Sequence, residues 1–160
     1  MKTAIVYYSM SGNTRQTAEE IAAKIGADLI RIDPVKEYPS KGLSKFLWGG
    51  KSAVMGDKPA LLPYYFDGSY ERIILGTPVW ASSFTPPLRT FISENSEKLK
   101  GKEIAAFFCY SGGGADKASA KLKALLGIDS FSAELILVDP KDKPSQENEA
   151  KIAEFCRKLS

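Results

Sequence analysis

Short apolar runs alternate with helical patterns along the whole chain. The runs read TAIVYY (3–8), ADLIRID (27–33), RIILG (72–76), EIAAFFCY (103–110) and AELILVD (133–139). Their central positions are almost continuously apolar, which is typical of parallel strands that are covered by helices on both faces. The pattern therefore predicts five buried strands.

Four other segments place apolar residues on one face of a helix. The stripes are Ala18, Ile21, Ala22 and Ile25; Leu88, Phe91 and Ile92; Ala118, Leu122 and Leu125; and Ile152, Phe155, Cys156 and Leu159. Pro86 and Pro87 suit the first turn of the second helix, and Gly26 and Gly127 suit the ends of the first and third. Because parallel strands need helical crossovers, the alternation predicts an open, doubly wound α/β sheet, which binds ligands beyond the carboxyl ends of its strands.

The connection between residues 33 and 72 is longer than a simple crossover needs. Leu43, Phe46 and Leu47 fit a short helix that faces the sheet, whereas residues 49–63 have the composition of a loop. The aromatic residues of this connection either plug the core of an ordinary crossover or form a cover or docking surface near a ligand. The sequence leaves both interpretations open.

Length and composition narrow the class of protein. A chain of 160 residues fits one domain, 1–160, with a sizeable core. The chain has 44% hydrophobic and 26% charged residues and no apolar run near the ~20 residues of a membrane span, so we expect neither disorder nor a membrane partner. The apolar run at residues 3–8 lacks a signal-peptide cleavage site, so we expect a cytoplasmic protein.

The chain has no histidine, which removes the commonest metal ligand and the usual general acid or base. Cys109 and Cys156 belong to no C-x-x-C pair, so neither a disulfide framework nor a zinc site is expected. We therefore expect no metal and no catalytic side chain. The net charge of +3 comes with lysines that are spread along the chain, which gives little reason to expect a nucleic-acid partner.

The segment YYSMSGNT (7–14) joins the first strand to the first helix with a polar loop. Backbone N–H groups at a helix start form an anion site, and a phosphate is the natural guest. Neutral side-chain donors in the loop are Ser9, Ser11, Asn13 and Thr14, and Gly12 allows close approach of the backbone. The alternative is a plain turn in which Asn13 or Thr14 caps the helix.

Three known classes of phosphate loop differ from this one. A nucleoside-triphosphate P-loop needs a lysine directly after its last glycine, and none follows Gly12. Receiver domains carry acidic residues after the first strand, where this chain has Tyr8 and Ser9. Ser9 and Arg15 have the spacing of low-molecular-weight tyrosine phosphatases, but a serine without histidine is a far weaker nucleophile than their cysteine. We therefore expect phosphate binding without phosphatase chemistry.

Two further loops follow the third and fourth strands. TPVWASSFTPP carries Trp80 close to a strand end, and SGGGAD leads three glycines into a helix that Asp116 could alternatively cap. Together the three loops would provide a phosphate cradle, an aromatic wall and a glycine-rich backbone ledge at one sheet edge. This combination suits a flat heteroaromatic ring that bears one phosphate.

All three loops resemble those of the flavodoxin family: SMSGNT its phosphate loop, and GTPVWA and CYSGGGAD the two loops that flank its ring. The resemblance covers essentially the whole chain. It implies one flavodoxin-like domain, a three-layer sandwich with helices on both faces of a five-stranded parallel sheet in the order 2-1-3-4-5, and bound flavin mononucleotide (FMN). The implied FMN-binding residues are Ser9, Met10, Ser11, Gly12, Asn13 and Thr14 around the phosphate; Thr77, Pro78, Val79, Trp80 and Ala81 beside the ring; and Ser111, Gly112, Gly113, Gly114 and Asp116 towards its pyrimidine side.

The resemblance implies a redox protein that exchanges electrons through non-covalent FMN with partner proteins or a small-molecule acceptor, as a monomer or weak dimer. An FMN-dependent NAD(P)H flavin or quinone reductase is the alternative, and a flavin-free interaction module is a third. Two departures from the family bear on the choice: Tyr110 precedes the glycines instead of following them, and no glycine follows Thr77. Together with the slightly basic charge, they favour two-electron exchange, or exchange with small acceptors, over strongly reducing one-electron transfer.

Overall fold

A single parallel sheet organises the computed structural model, which describes residues 1–39, 50–53 and 55–160. Its strands are β1 (Thr3–Tyr7), β2 (Asp28–Arg31), β3 (Arg72–Pro78), β4 (Glu103–Tyr110) and β5 (Glu134–Val138). They form one five-stranded sheet in the order β2-β1-β3-β4-β5, and every neighbouring pair is parallel. The α/β fold and the sheet order that were expected from the sequence are confirmed.

Five helices have named bounds in the described part of the chain, and local signals in the sequence mark an end of four of them. They are α1 (Asn13–Ile25), α2 (Pro86–Glu94), α3 (Ser96–Leu99), α4 (Ala115–Leu126) and α5 (Gln146–Leu159). Gly26 and Gly127 follow the last residues of α1 and α4, and α2 starts with its two prolines. Ser145 Oγ caps α5 by accepting a hydrogen bond from Asn148 N at 3.0 Å. No helix in the described part of the chain is long and apolar enough to cross a membrane.

Each face of the sheet buries its own hydrophobic core. Successive side chains of a strand point to opposite faces, so neighbouring residues of β1 belong to different cores. One core joins the sheet to α2 and α4 and includes Val6, Leu75, Leu88 and Leu122. The other joins it to α1 and α5 and includes Ile5, Ile74, Ile21 and Phe155. Helices therefore cover both faces, as a three-layer sandwich requires.

The segment that leads into β3 packs aromatic side chains against α2. The ring centroid of Phe66 lies 5.1 Å from that of Phe91, and both residues are buried. Tyr64 OH donates a hydrogen bond to Glu94 Oε2 at 2.6 Å. Tyr65, by contrast, is 76% exposed. These contacts favour the plug interpretation for this part of the long connection.

One expectation for this connection is wrong. Residues 50–53 are helical, although the sequence predicted a loop over residues 49–63. Ala53 is buried, and a Cβ built on Gly50 would lie 3.5 Å from the Cβ of Ala81, so tertiary packing stabilises helical backbone that glycine disfavours. The helix expected around Leu43, Phe46 and Leu47 lies outside the described residues.

Gly76 of β3 allows a phenylalanine of the neighbouring strand to cross its backbone. A Cβ built on Gly76 would lie 2.2 Å from Cζ of Phe107, which is fully buried. We expect Gly76→Ala to lower the free energy of unfolding by about 3 kcal/mol, at the upper end of the usual cost of overpacking. Urea denaturation measures this change.

The matched control for this prediction is the same substitution in a Phe107→Leu background. Leucine removes the ring atoms that the new methyl group would meet, so Gly76→Ala should cost less there than in the wild type. An equal cost in both backgrounds would show that the contact with Phe107 is not the reason for the glycine.

Candidate functional site

A cleft of about 580 Å³ lies at the carboxyl edge of the sheet, between the loops that follow β1, β3, β4 and β5. Its volume is within the ~300–1,000 Å³ that is usual for small-molecule sites. The lining residues are Ser9, Met10, Ser11, Asn13, Thr14, Gly50, Pro78, Val79, Trp80, Ala81, Ser82, Cys109, Tyr110, Ser111, Gly112, Gly113 and Asp139. The three loops that were singled out from the sequence therefore meet in one place.

Four residues of the predicted site do not line this cleft. Gly12 precedes α1 with φ of 100°. Thr77 is buried below the cleft, where its Oγ1 accepts a hydrogen bond from Thr85 N at 3.1 Å. Gly114 precedes α4, and Asp116 lies in the first turn of α4, exposed, beside a separate groove next to β5 and α5. The first three support the loops from behind, whereas Asp116 faces away from the cleft.

The loop after β1 leaves several backbone N–H groups without an acceptor. Ser9 Oγ accepts hydrogen bonds from Gly12 N at 3.2 Å and Arg15 N at 3.1 Å, so it satisfies two donors near the start of α1. The N–H groups of Ser11, Asn13 and Thr14 have no acceptor among the described residues. Neither Asn13 nor Thr14 caps the helix, because α1 has no side-chain cap. The start of a 13-residue helix therefore presents donors and a positive dipole end to the cleft.

A second loop, which follows β5, braces this first one. Asn13 Oδ1 accepts a hydrogen bond from Lys141 N at 2.8 Å, and Asn13 Nδ2 donates to Asp142 Oδ2 at 3.3 Å. Lys141 Nζ donates to the carbonyl oxygen of Ser11 at 3.2 Å. The side chain of Asn13 is therefore engaged in holding two loops together, and its backbone N–H is the group that remains available to a ligand.

The loop after β3 is a tight, strained turn. Trp80 N donates to Ser83 O, and Ser83 N donates to Trp80 O, each at 2.9 Å. The two residues between them, Ala81 and Ser82, have φ of 48° and 59°, the left-handed values of a type I′ hairpin turn. Such angles are uncommon outside glycine and cost free energy, so surrounding contacts must hold them.

Gly114 provides one of these contacts from the loop after β4. A Cβ built on Gly114 would lie 2.8 Å from the backbone Cα of Ser82, and the φ of Gly114 is 84°. Both the left-handed backbone and the close approach therefore require glycine at this position. The third glycine of SGGGAD allows the loops after β3 and β4 to pack together, although it does not line the cleft.

Trp80 forms the aromatic wall of the cleft. Its ring packs edge-on against Tyr8, with centroids 5.7 Å apart, and against Tyr38, with centroids 5.2 Å apart. Burial raises the pKa of the Tyr8 and Tyr38 phenols, so both rings are uncharged at neutral pH. The wall is thus held by two neutral aromatic neighbours that come from different parts of the chain.

Cys109 lines the cleft but is not an activated nucleophile. Burial raises the pKa of the Cys109 thiol to about 11, so this group is protonated at neutral pH. Asp139 Oδ1 accepts a hydrogen bond from Ser111 Oγ at 2.7 Å, and Asp139 itself has φ of 37°. Among the described residues no cluster of acidic or sulfur ligands could hold a metal ion. The arrangement offers a ligand backbone N–H donors and an aromatic surface.

Sequence reasoning missed five lining residues: Gly50, Ser82, Cys109, Tyr110 and Asp139. Asp139 directly follows the carboxyl end of β5. Ligands of open parallel sheets bind beyond the carboxyl ends of the strands, so the same rule that indicated the other loops could have indicated Asp139. Gly50 comes from the long connection and reaches the cleft only through tertiary folding. No local pattern in the sequence indicated its position.

Comparison with known proteins identifies the family. The sequence model described as flavodoxin matches residues 2–139 of this chain. The chain belongs to the flavodoxin family. A search of curated protein sequences found no match.

Solved structures of other flavodoxins and flavoproteins share the fold. A flavoprotein from Lactobacillus acidophilus, solved in complex with FMN, is 22% identical with a TM-score of 0.71, covering 88% of this chain and 95% of that one. Flavodoxin 1 from Bacillus cereus, in its oxidised form, is 20% identical with a TM-score of 0.59, covering 99% and 97%. The two-electron reduced flavodoxin of Megasphaera elsdenii is 20% identical with a TM-score of 0.58, covering 99% of both chains. At these identities the likeness establishes the fold.

The contact between Gly114 and Ser82 leads to a testable expectation. Gly114→Ala should displace the turn at Ala81 and Ser82 and lower the free energy of unfolding by about 1–3 kcal/mol, because the new Cβ meets backbone atoms and the φ is left-handed. Chemical denaturation measures the loss. Gly112→Ala is the control, since its Cβ would have no atom within 4 Å. Similar losses for both variants would show that the loop contact does not matter.

Proposed function

We propose that this flavodoxin-family chain is a redox protein that binds FMN in the cleft and transfers electrons between partner proteins through the bound flavin. The observation that carries the proposal is the combination of N–H donors without acceptors at the start of α1 and the Trp80 wall in the same cleft. One part suits a phosphate and the other a flat aromatic ring. The FMN that is bound in the Lactobacillus flavoprotein supports this choice of ligand.

The phosphate would be held by the loop after β1. Backbone N–H groups of Ser11, Asn13 and Thr14 are available there, and the hydroxyl groups of Ser11 and Thr14 add neutral donors. A hydrogen bond to a charged group contributes about 1.5–3 kcal/mol, so several of them account for tight binding without a dense cationic pocket. Ser9 acts indirectly, because its hydroxyl orders the turn that presents these donors.

The ring would lie between the turn after β3 and the glycine loop after β4. Met10, Val79 and Trp80 supply apolar contact surface, since all three line the cleft and pack against the core. The N–H groups of Ser111, Gly112 and Gly113 have no acceptor in the described part of the chain and suit a polar ring edge. FMN, when bound, supplies the redox chemistry. The protein's side chains would bind and orient FMN and keep water from the side of the ring that faces Trp80.

A reductase is the second candidate, and one observation favours it. A Cβ built on Gly112 or Gly113 would meet no atom within 4 Å, and both residues are exposed. These two glycines thus place no side chain over this side of the cleft, which leaves space for a nicotinamide. An FMN-dependent NAD(P)H flavin or quinone reductase would use that space.

Binding of FMN can be separated from binding of the flavin ring alone by comparison with riboflavin, which lacks the phosphate. We expect Asn13→Ala and Thr14→Ala to raise the dissociation constant of FMN by about tenfold or more and that of riboflavin much less, because Thr14→Ala removes a hydroxyl donor and Asn13→Ala removes the brace that orders the N–H donors of this loop. Flavin fluorescence titration gives both constants. Thr90→Ala in α2, where the hydroxyl donates to Pro59 O, is the control and should change neither.

The same titration tests the proposal as a whole. Wild-type protein that does not quench FMN fluorescence and does not acquire visible flavin absorbance would be a flavin-free module. Equal losses of FMN and riboflavin affinity in the Asn13 and Thr14 variants would mean that the phosphate lies in another loop.

Electron carriers and reductases differ in their reaction with nicotinamide cofactors. We expect the FMN-loaded protein to oxidise NADPH or NADH only slowly in the presence of a quinone or free flavin, because an electron carrier receives its electrons from a reductase partner. Steady-state absorbance of the reduced nicotinamide measures the rate. Sustained turnover by the pure protein would show that it is a reductase and not an electron carrier.

A further inference from the structure

We propose that Lys141 determines the preference for phosphorylated flavin by supplying the positive charge of the phosphate loop. This inference rests on the proposed binding of FMN. Lys141 belongs to the loop after β5, which the sequence did not connect with the site. A positively charged residue at this position would make the protein prefer FMN, a phosphate ester, over riboflavin, the corresponding neutral alcohol.

The geometry holds Lys141 against the phosphate loop at several points. Its backbone N donates to Asn13 Oδ1 at 2.8 Å, and its Nζ donates to Ser11 O at 3.2 Å. A Cβ built on Gly12 would lie 3.2 Å from Lys141 Cδ, so the aliphatic stem runs directly over the loop backbone. The ammonium group therefore lies beside the residues whose N–H groups remain available to an anion.

Two arginines near this loop are already engaged with carboxylates. Arg15 Nε is 2.8 Å from Glu19 Oε1 on the surface of α1. Arg31 Nε is 3.0 Å from Asp33 Oδ2, while its Nη2 donates to Ser9 O at 2.9 Å. Both guanidinium groups thus have short ion pairs that offset their charge.

Lys141 is less fully neutralised than either arginine. Its carboxylate neighbour is Asp142, whose Oδ1 lies 3.6 Å from Nζ, and Asn13 Nδ2 holds the other oxygen of that carboxylate at 3.3 Å. Nζ donates a hydrogen bond to Ser11 O, whereas its 3.6 Å distance from Asp142 is longer than a hydrogen bond, so this ion pair is looser than those of the two arginines. Lys141 does not line the cleft, so it acts on a phosphate at the start of α1 by its charge, through the loop that it contacts.

A cation matters here because the other donors of the loop are neutral. A phosphate monoester carries about −1.5 to −2 charges at pH 7, whereas riboflavin carries none. The side chain of Lys141 is 47% exposed, so solvent screens part of its attraction and the effect on affinity is moderate. It also depends on ionic strength, as expected for a charge near the surface.

The test compares FMN and riboflavin as ligands of full-length variants. We expect Lys141→Gln to raise the dissociation constant of FMN by about tenfold and that of riboflavin by less than about twofold. Lys141→Arg keeps the charge and should restore FMN affinity to within about twofold of the wild type. The affinity for FMN should fall less steeply with added salt in Lys141→Gln than in the wild type.

Lys100→Gln is the matched control, because Lys100 loses the same charge at the opposite edge of the sheet, just before β4, where it pairs with Glu97. It should leave both dissociation constants and the salt dependence unchanged. Thermal unfolding of each variant without ligand shows whether the loop after β5 stays folded.

Three results would overturn the inference, and they differ from one another. Unchanged FMN affinity in Lys141→Gln would show that the charge is not used. Equal losses of FMN and riboflavin, or no rescue by Lys141→Arg, would reduce Lys141 to a structural brace. Failure of the wild type itself to bind FMN would overturn the proposed function, and this inference with it, whatever the variants do.

Discussion

The parallel pairing of β1 with β2 on one side and β3 on the other is the constraint on which the site depends. The chain that leaves β1 packs its helix α1 on one face of the sheet, whereas the chain that leaves β3 packs α2 on the other face. The two loops must therefore diverge at the carboxyl edge, and a crevice opens between them. The location of the cleft follows from this topology, before any polar side chain is considered.

Strain in the site is local, and neighbouring loops hold it in place. All three non-glycine residues with positive φ among the described residues, Ala81, Ser82 and Asp139, line the cleft. Such angles cost on the order of 1–3 kcal/mol each. The paired backbone hydrogen bonds of Trp80 and Ser83, and the hydrogen bond from Ser111 to Asp139, offset this cost. Because the loops are ordered in advance, a ligand loses less affinity to ordering them.

The sequence predicted what depends on local pattern and missed what depends on contacts between distant residues. Alternating apolar runs and the glycine or proline at helix ends were enough for strands and helices, and the family resemblance supplied the strand order. The brace between Asn13 and Lys141 joins residues that are 128 positions apart, so no spacing or propensity indicates it. The helical residues 50–53 were missed for the same reason, since burial of Ala53 stabilises them against the local preference of glycine.

The charges at the rim of the cleft bear on what the protein can recognise. Lys141 lies 3.6 Å from Asp142, and Lys143 lies 3.8 Å from Asp139, so cations and carboxylates alternate along the loop after β5. Alternating charges cancel beyond about one Debye length, roughly 8 Å at physiological salt, and provide little long-range steering of a charged partner. Under the proposed function, an electron acceptor that approaches beside Trp80 would therefore be selected by shape and apolar contact. A small acceptor meets that requirement as readily as a protein does, which fits the modest net charge of +3 of this chain.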